Sequence, residues 1–171
     1  FLDGGAQDDF LFGGAGDDQI IGANGRDVIF GGTGENLMIG GGGRDVIYDG
    51  SDDDIILSGD GSDEMHVSGG ADVIFFDERS TGDVDKVFGF NSEEGDVFYI
   101  NGFTAAFNDA SFDESEFIKT ESNADGTNVL FVDQDGAGND FAFEKVAVFY
   151  DAVGEVSVSY YTEEDALSWA L

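Results

Sequence analysis

The chain has 171 residues and carries 38 acidic against 6 basic side chains, a net charge of −32 at pH 7 that opposes nucleic acid and anionic membrane surfaces and suits cations. It has no cysteine, which excludes disulfides and thiolate metal sites, and no apolar run that would insert in a membrane. An apolar share of 41% and 17 phenylalanines fit a folded protein of single-domain size, although a compositional break suggests two parts, residues 1–75 and 76–171.

The chain opens on Phe1-Leu2-Asp3, in the middle of a repeat unit, and reads as a piece of something longer. Residues 4–75 are eight copies of one nine-residue unit without insertion, starting at Gly4, Gly13, Gly22, Gly31, Gly40, Asp49, Ser58 and Val67. Gly13-Gly14-Ala15-Gly16-Asp17-Asp18-Gln19-Ile20-Ile21 is the cleanest copy. It has a glycine-rich turn, an acid at place six and an apolar residue at place eight. A fixed short period means one backbone shape stacked many times. A six-residue turn and a three-residue strand make half a coil, so two copies complete one coil and alternate copies stack. Asp9, Asp27, Asp45 and Asp63 then form one column, called odd below. Asp18, Asn36, Asp54 and Asp72 form the other, called even. Place eight points inward and reads Leu11, Ile20, Ile29, Met38, Ile47, Ile56, Met65 and Ile74. That unbroken apolar column supports the register independently of the acids and conflicts with a flexible Gly-Asp linker.

Glycines permit positive φ and let carbonyl oxygens converge. Calcium takes six to eight oxygens in a flexible shell. Each gap between stacked turns offers carbonyls from both turns plus two place-six side chains, so the pattern points to calcium.

These residues resemble the RTX nonapeptide, Gly-Gly-x-Gly-x-Asp-x-aliphatic-x. The resemblance implies an all-β fold, a right-handed parallel β-roll of eight nonapeptide turns, with up to about six calcium ions between turns. It also implies a division of ligands. The earlier turn gives carbonyls of places two and four plus its acid; the turn two copies later gives those of places one and three plus its acid. On the odd side this pairs Gly5, Gln7 and Asp9 with Gly22, Asn24 and Asp27, and Ala23, Gly25 and Asp27 with Gly40, Gly42 and Asp45. The last odd gap pairs Gly41, Gly43 and Asp45 with Ser58, Asp60 and Asp63. On the even side it pairs Gly14, Gly16 and Asp18 with Gly31, Thr33 and Asn36, and Gly32, Gly34 and Asn36 with Asp49, Ser51 and Asp54. The last even gap pairs Gly50, Asp52 and Asp54 with Gly69 and Asp72. Several copies depart from the pattern. Gln7 and Ala23 replace glycines, Asn36 replaces an acid, copy six opens Asp49-Gly50-Ser51-Asp52, and copies seven and eight carry Ser58, Val67 and Ser68. The odd column is therefore expected to bind more tightly.

After Phe75 the nonapeptide stops and strand-length apolar stretches follow: Lys86–Phe90, Val97–Ile100, Glu116–Lys119, Asn128–Val132, Phe141–Phe143, Val146–Phe149 and Val156–Tyr160. Asn123–Thr127 reads as a hairpin turn. Thr162 is a candidate N-cap of a short terminal helix. An open roll end needs a cap, and residues 84–150 are expected to form a β-rich one over the last coil and one outer face. Asp83–Phe90 with Gly95-Asp96-Val97 is similar to the segment closing many RTX rolls, and Thr127–Gly136 to the tail of large type I-secreted RTX surface proteins. Asp133–Glu144 leaves two readings open, an EF-hand-like calcium loop and an acidic hairpin loop.

Outward places seven and nine are mostly apolar, which suits packing against the second half, a partner or self-association surface, or plain strand propensity. His66, the only histidine, stands at such a place without a nucleophile pattern nearby, and no catalytic constellation is present. The expectation is a non-enzymatic calcium-binding module of a secreted or cell-surface protein. The resemblance implies export by a type I secretion apparatus and folding outside on calcium. The host is expected to be a surface adhesin; the alternative is the non-catalytic tail of a secreted metalloprotease, lipase or alginate epimerase, with polysaccharide contact.

Overall fold

The structure is a computed structural model that describes residues 1–77, 83–101, 118–133, 143–154, 156 and 158–160. The chain is all β; the described residues contain no helix, hence none able to cross a membrane. The repeat region holds β1 (Leu2–Gly5), β2 (Phe10–Ala15), β3 (Gln19–Gly25), β4 (Val28–Thr33), β5 (Leu37–Gly43), β6 (Val46–Gly50), β7 (Ile55–Asp60), β8 (Glu64–His66) and β9 (Val73–Asp77). Then come β10 (Asp85–Phe88), β11 (Val97–Asn101), β12 (Ile118–Ser122), β13 (Asn128–Asp133), β14 (Phe143–Tyr150) and β15 (Val158–Tyr160). Two sheets face each other, one ordered β1-β3-β5-β7-β9-β11-β15, the other β12-β13-β14-β10-β8-β6-β4-β2.

The nonapeptides make a parallel solenoid of about four coils, with alternate copies stacked as the period requires. Ile20 lies beside Met38 and Ile29 beside Ile47. The place-eight column is buried throughout, and from Ile20 to Ile74 it has no exposure. Burying each such side chain contributes about 1.5–3 kcal/mol. Places six and one share its face, because they lie two residues before and two after it on an alternating strand.

The turn is shorter than a six-residue loop. Strand β3 runs for 7 residues into its glycines, and Ala23, Asn24 and Gly25 pair with Gly41, Gly42 and Gly43. Backbone pairing between coils therefore persists where the spacing alone suggests a loop. At the start, Leu2 pairs with Ile20 and packs on the core, so Leu2–Gly5 supplies one more strand of the ladder.

Past residue 77 both sheets continue. Strand β10 pairs in parallel with β8, and β14 with β10, while β11 pairs with β9 and β15 with β11. Strands β12 and β13 close the second sheet as an antiparallel hairpin whose turn is fixed by Asn123 N–H donating to Thr127 C=O at 2.8 Å. The last repeat coil is covered by side chains that prolong its own columns: Val87 over Met65 and Phe98 over Ile74. Phe76, Phe90, Phe98 and Phe149 form the buried core there, with ring centroids 5.0–6.4 Å apart in edge or tilted contacts. The expected helix from Thr162 lies outside the described residues, as do positions 134–142 of the EF-hand-like stretch and parts of three expected strands, Glu116–Phe117, Phe141–Ala142 and Ser157.

The described strands of the second half lengthen the sheets rather than cover an outer face. The outward apolar residues of the odd side instead stack on one another. Phe12, Phe30, Tyr48, His66, Phe88 and Tyr150 form one ladder, with centroids 4.4–4.9 Å apart and planes within 12°. Same-face neighbours across strands stabilise a sheet without an outside partner. His66 is a rung of this ladder, with Nε2 3.0 Å from Glu64 Oε1.

Candidate metal centre

The place-six side chains project between the sheets, where strand alternation sends them. Asp27, Asp45, Asp54, Asp63 and Asp72 are at most 1% exposed. Each uses one oxygen to tie two coils. In the odd column Oδ1 of Asp27, Asp45 and Asp63 accepts the N–H of Asp9, Asp27 and Asp45, each at 2.8 Å. In the even column Asp54 Oδ1 accepts Asn36 N–H at 2.8 Å and Asp72 Oδ1 accepts Asp54 N–H at 2.9 Å. The other oxygen is left over. Oδ2 of Asp9, Asp27, Asp45, Asp54, Asp63 and Asp72 is buried without any hydrogen-bond partner. A buried carboxylate oxygen with no partner is costly, and a ladder of them more so. Burial, with neighbouring acids adding to it, pushes Asp63 and Asp72 up to about 8 and Asp45 up to about 6. Orphaned oxygens of like charge, stacked at coil spacing beside glycine carbonyls, fit a hard divalent cation with many oxygen ligands. Asp9, Asp27, Asp45 and Asp63 would hold it on one side, and Asp54 and Asp72 on the other.

The glycines at place one are where bulk is excluded. A Cβ on Gly22 would stand 2.5 Å from Gly40 O and 2.6 Å from Asp27 Oδ2. The glycines at places two and four take positive φ, as at Gly32 (105°) and Gly34 (103°), and Ala23 is forced into the same region at 77°.

The even column is interrupted at Asn36, and the structure shows how. Asn36 Oδ1 accepts Asp18 N–H at 3.0 Å, which turns its amide nitrogen towards the gap above. That nitrogen donates to Gly34 O at 2.8 Å and to Asp54 Oδ1 at 3.0 Å. An N–H donor thus lies against two acceptors that the resemblance assigns to an ion. In the gap below, Thr33 O accepts Gly16 N–H at 2.8 Å. The side chains of Ser51, Asp52 and Asp60 are exposed, and Asp52 Oδ2 accepts Gly34 N–H at 2.8 Å.

Two place-six acids escaped the sequence reading. Asp85 continues the odd column, accepting Asp63 N–H at 2.8 Å, and Asp96 continues the even one, accepting Asp72 N–H at 3.1 Å. Their signal was legible in Asp85-Lys86-Val87-Phe88 and Asp96-Val97-Phe98-Tyr99, which keep the acid and the apolar residue two places on. Neither leaves an oxygen free. The Ser58 hydroxyl donates to Asp85 Oδ2 at 3.1 Å, and Asn91 N–H to Asp96 Oδ2 at 2.7 Å. The orphaned oxygens therefore stop where hydrogen bonds take over.

The family model for the RTX calcium-binding nonapeptide repeat (4 copies) matches residues 1–29, 30–65 and 39–74. No curated protein matches the chain. Stacked parallel coils, carboxylate columns with unmet oxygens and this match agree: residues 1–74 carry RTX calcium-binding nonapeptide repeats folded as a parallel β-roll.

Proposed function

We propose that this calcium-binding RTX module is a folding switch of a secreted protein: the chain stays open while calcium is scarce and closes into the roll when calcium is plentiful outside the cell. The observation that carries this is the set of buried Oδ2 atoms without partners. With a net charge of −32, the ion-free chain resists closing its own columns. An ion bound only by the folded state adds stability by mass action, about 2.7 kcal/mol at a hundred times its dissociation constant. RTX repeats occur in secreted proteins, and an open chain suits passage through a type I secretion channel.

A roll of this kind is structural, and we read the described region as support for another part of its protein. The host reading is a large surface adhesin, supported by the acidity and by the likeness of Thr127–Gly136 to RTX surface-protein tails. The test of the switch is circular dichroism during a calcium titration. Excess chelator should remove the β signal of the repeat region, calcium should restore it, and magnesium should do so poorly because it demands a small octahedral shell. A spectrum unchanged by chelator defeats the proposal.

A further inference from the structure

The nonapeptide pattern places glycine at place one, yet copy six begins with Asp49. Place one faces inward, so this substitution puts a carboxylate between the sheets. We propose that Asp49, Asp54 and Asp72 form a three-carboxylate calcium site at the end of the even column, in which Asp49 is a side-chain ligand foreign to the repeat, and that this site fills first. The proposal rests on the reading of the columns as calcium sites and adds a ligand and an order of filling.

One oxygen from each of the three residues lies within 4.8 Å of the other two. All three residues are at most 1% exposed. Asp54 Oδ2 and Asp72 Oδ2 have no partner, while their Oδ1 atoms accept N–H groups of Asn36 and Asp54. Asp49 is held from both sides: Oδ1 accepts Gly50 N–H at 2.5 Å and Oδ2 accepts Ser68 N–H at 3.0 Å. Each Asp49 oxygen keeps a second lone-pair direction for a cation. The neighbouring Asp96 has both oxygens engaged by backbone N–H groups. The side-chain ion pairs among the described residues lie elsewhere, at Arg26–Asp8 and at Glu64 with Lys86 and His66. Three buried like charges with two unmet oxygens need a counter-charge in the space they share.

An odd gap such as Asp27–Asp45, where the repeat pattern alone predicts the tighter binding, has two carboxylates. Calcium affinity rises with the charge of the ligand set, and the Asp49 gap has one carboxylate more. Its location matters too. Asp49 ties Ser68, one residue after Val67, where place one first becomes apolar. The first ion would therefore lock the junction between the carboxylate columns and the phenylalanine core.

The test is a calorimetric calcium titration of the full chain, in competition with a chelator. The chains compared are unaltered, Asp49→Asn, Asp49→Gly and Asp53→Asn. Asp49→Asn keeps size and hydrogen-bonding capacity, and Asp49→Gly restores the residue that copies one to five carry. Both should keep the number of ions while the tightest class weakens about tenfold or more. Asp53→Asn removes an exposed charge next to Asp54 and should leave that class within about twofold. Should either Asp49 variant fail to reach the unaltered dichroism at saturating calcium, the other decides. If calcium binds but the tightest class does not move in the Asp49 variants, or moves equally in Asp53→Asn, the third carboxylate is not a ligand and the column reading survives. If the unaltered chain binds no calcium, both fall.

Discussion

Between residues 10 and 75 the space enclosed by the two sheets holds one aliphatic column flanked by carboxylates. Between residues 76 and 150 the same space, under the same parallel ladder, holds Phe76, Phe90, Phe98 and Phe149. Place one records the change. It is glycine in the first five copies, then Asp49, Ser58 and Val67, and Phe76 stands where the next copy would begin. Glycine there leaves room for carbonyls and ions, whereas a large side chain closes the interior and makes ions unnecessary. One backbone architecture thus has two interiors, and a single place in the repeat decides which.

If the apolar part holds the ion-dependent part shut, damage to it should be felt throughout. Phe149 touches Phe76, Phe90 and Phe98 and is fully buried. Phe149→Ala should cost about 3–5 kcal/mol and raise the calcium concentration at which the repeat region folds. Calcium titrations followed by far-ultraviolet dichroism check it. A variant that folds its repeats at the original calcium concentration would make the two parts independent.

Acid separates the two interiors next, because it neutralises carboxylates and leaves phenylalanines alone. Asp63 and Asp72 are raised to about 8, Asp85 to about 7, and Asp45 and Asp49 to about 6, mainly by burial. A carboxyl whose folded value lies above its ordinary 3.8 binds protons more tightly when folded. The stability it lends is complete below that ordinary value and is lost as pH rises through the folded one. The ion-free chain should therefore gain β structure near pH 4 and lose it between about pH 6 and 8. Saturating calcium should flatten this dependence. An ion-free chain that is equally unfolded at pH 4 and pH 8 would mean that burial of the columns is not what opposes folding.

The repeat half was legible in the sequence because its period ties backbone shape to residue type. Place eight and place six fell where the columns are, from Leu11 to Ile74 and from Asp9 to Asp72. The second half was less legible because its spacing breaks. Asp63 is followed in its column by Asp85, 22 residues on, and Asp72 by Asp96, 24 residues on, so a search at fixed period loses both. Asp49 was assigned only a carbonyl role, since the pattern gives place one no side chain. Reading place one as an inward position, two residues after place eight, would have exposed it.

Asn36 allows the columns themselves to be compared. Asn36→Asp removes the N–H groups that lie on Gly34 O and Asp54 Oδ1 and leaves an oxygen in their place. The variant should bind about one calcium more in a calorimetric titration and be harder to fold in chelator, because another buried carboxylate then lacks a partner. An unchanged stoichiometry would show that the amide is not what keeps an ion out.

The smallest effect concerns backbone strain, which separates the regions in a different way. Among the described residues each has one non-glycine at positive φ, Ala23 at 77° in the roll and Asp151 at 54° after β14. Alanine in the left-handed region costs about 1–2 kcal/mol, whereas aspartate tolerates it through local hydrogen bonding. Replacing Ala23 by glycine removes that strain, although glycine gives back about 0.5–1 kcal/mol in chain entropy. The net gain should be about 0.5–1 kcal/mol, a rise of about 1–4 °C in Tm at saturating calcium. Asp151→Gly should gain less or lose stability, because it relieves little and loosens the chain. The resemblance assigns the Ala23 carbonyl to the odd-column gap above it, so a calorimetric titration should accompany the melting curve. A higher Tm with unchanged calcium affinity assigns the effect to φ, whereas tighter binding would mean that Ala23 had been holding its carbonyl away from the ion.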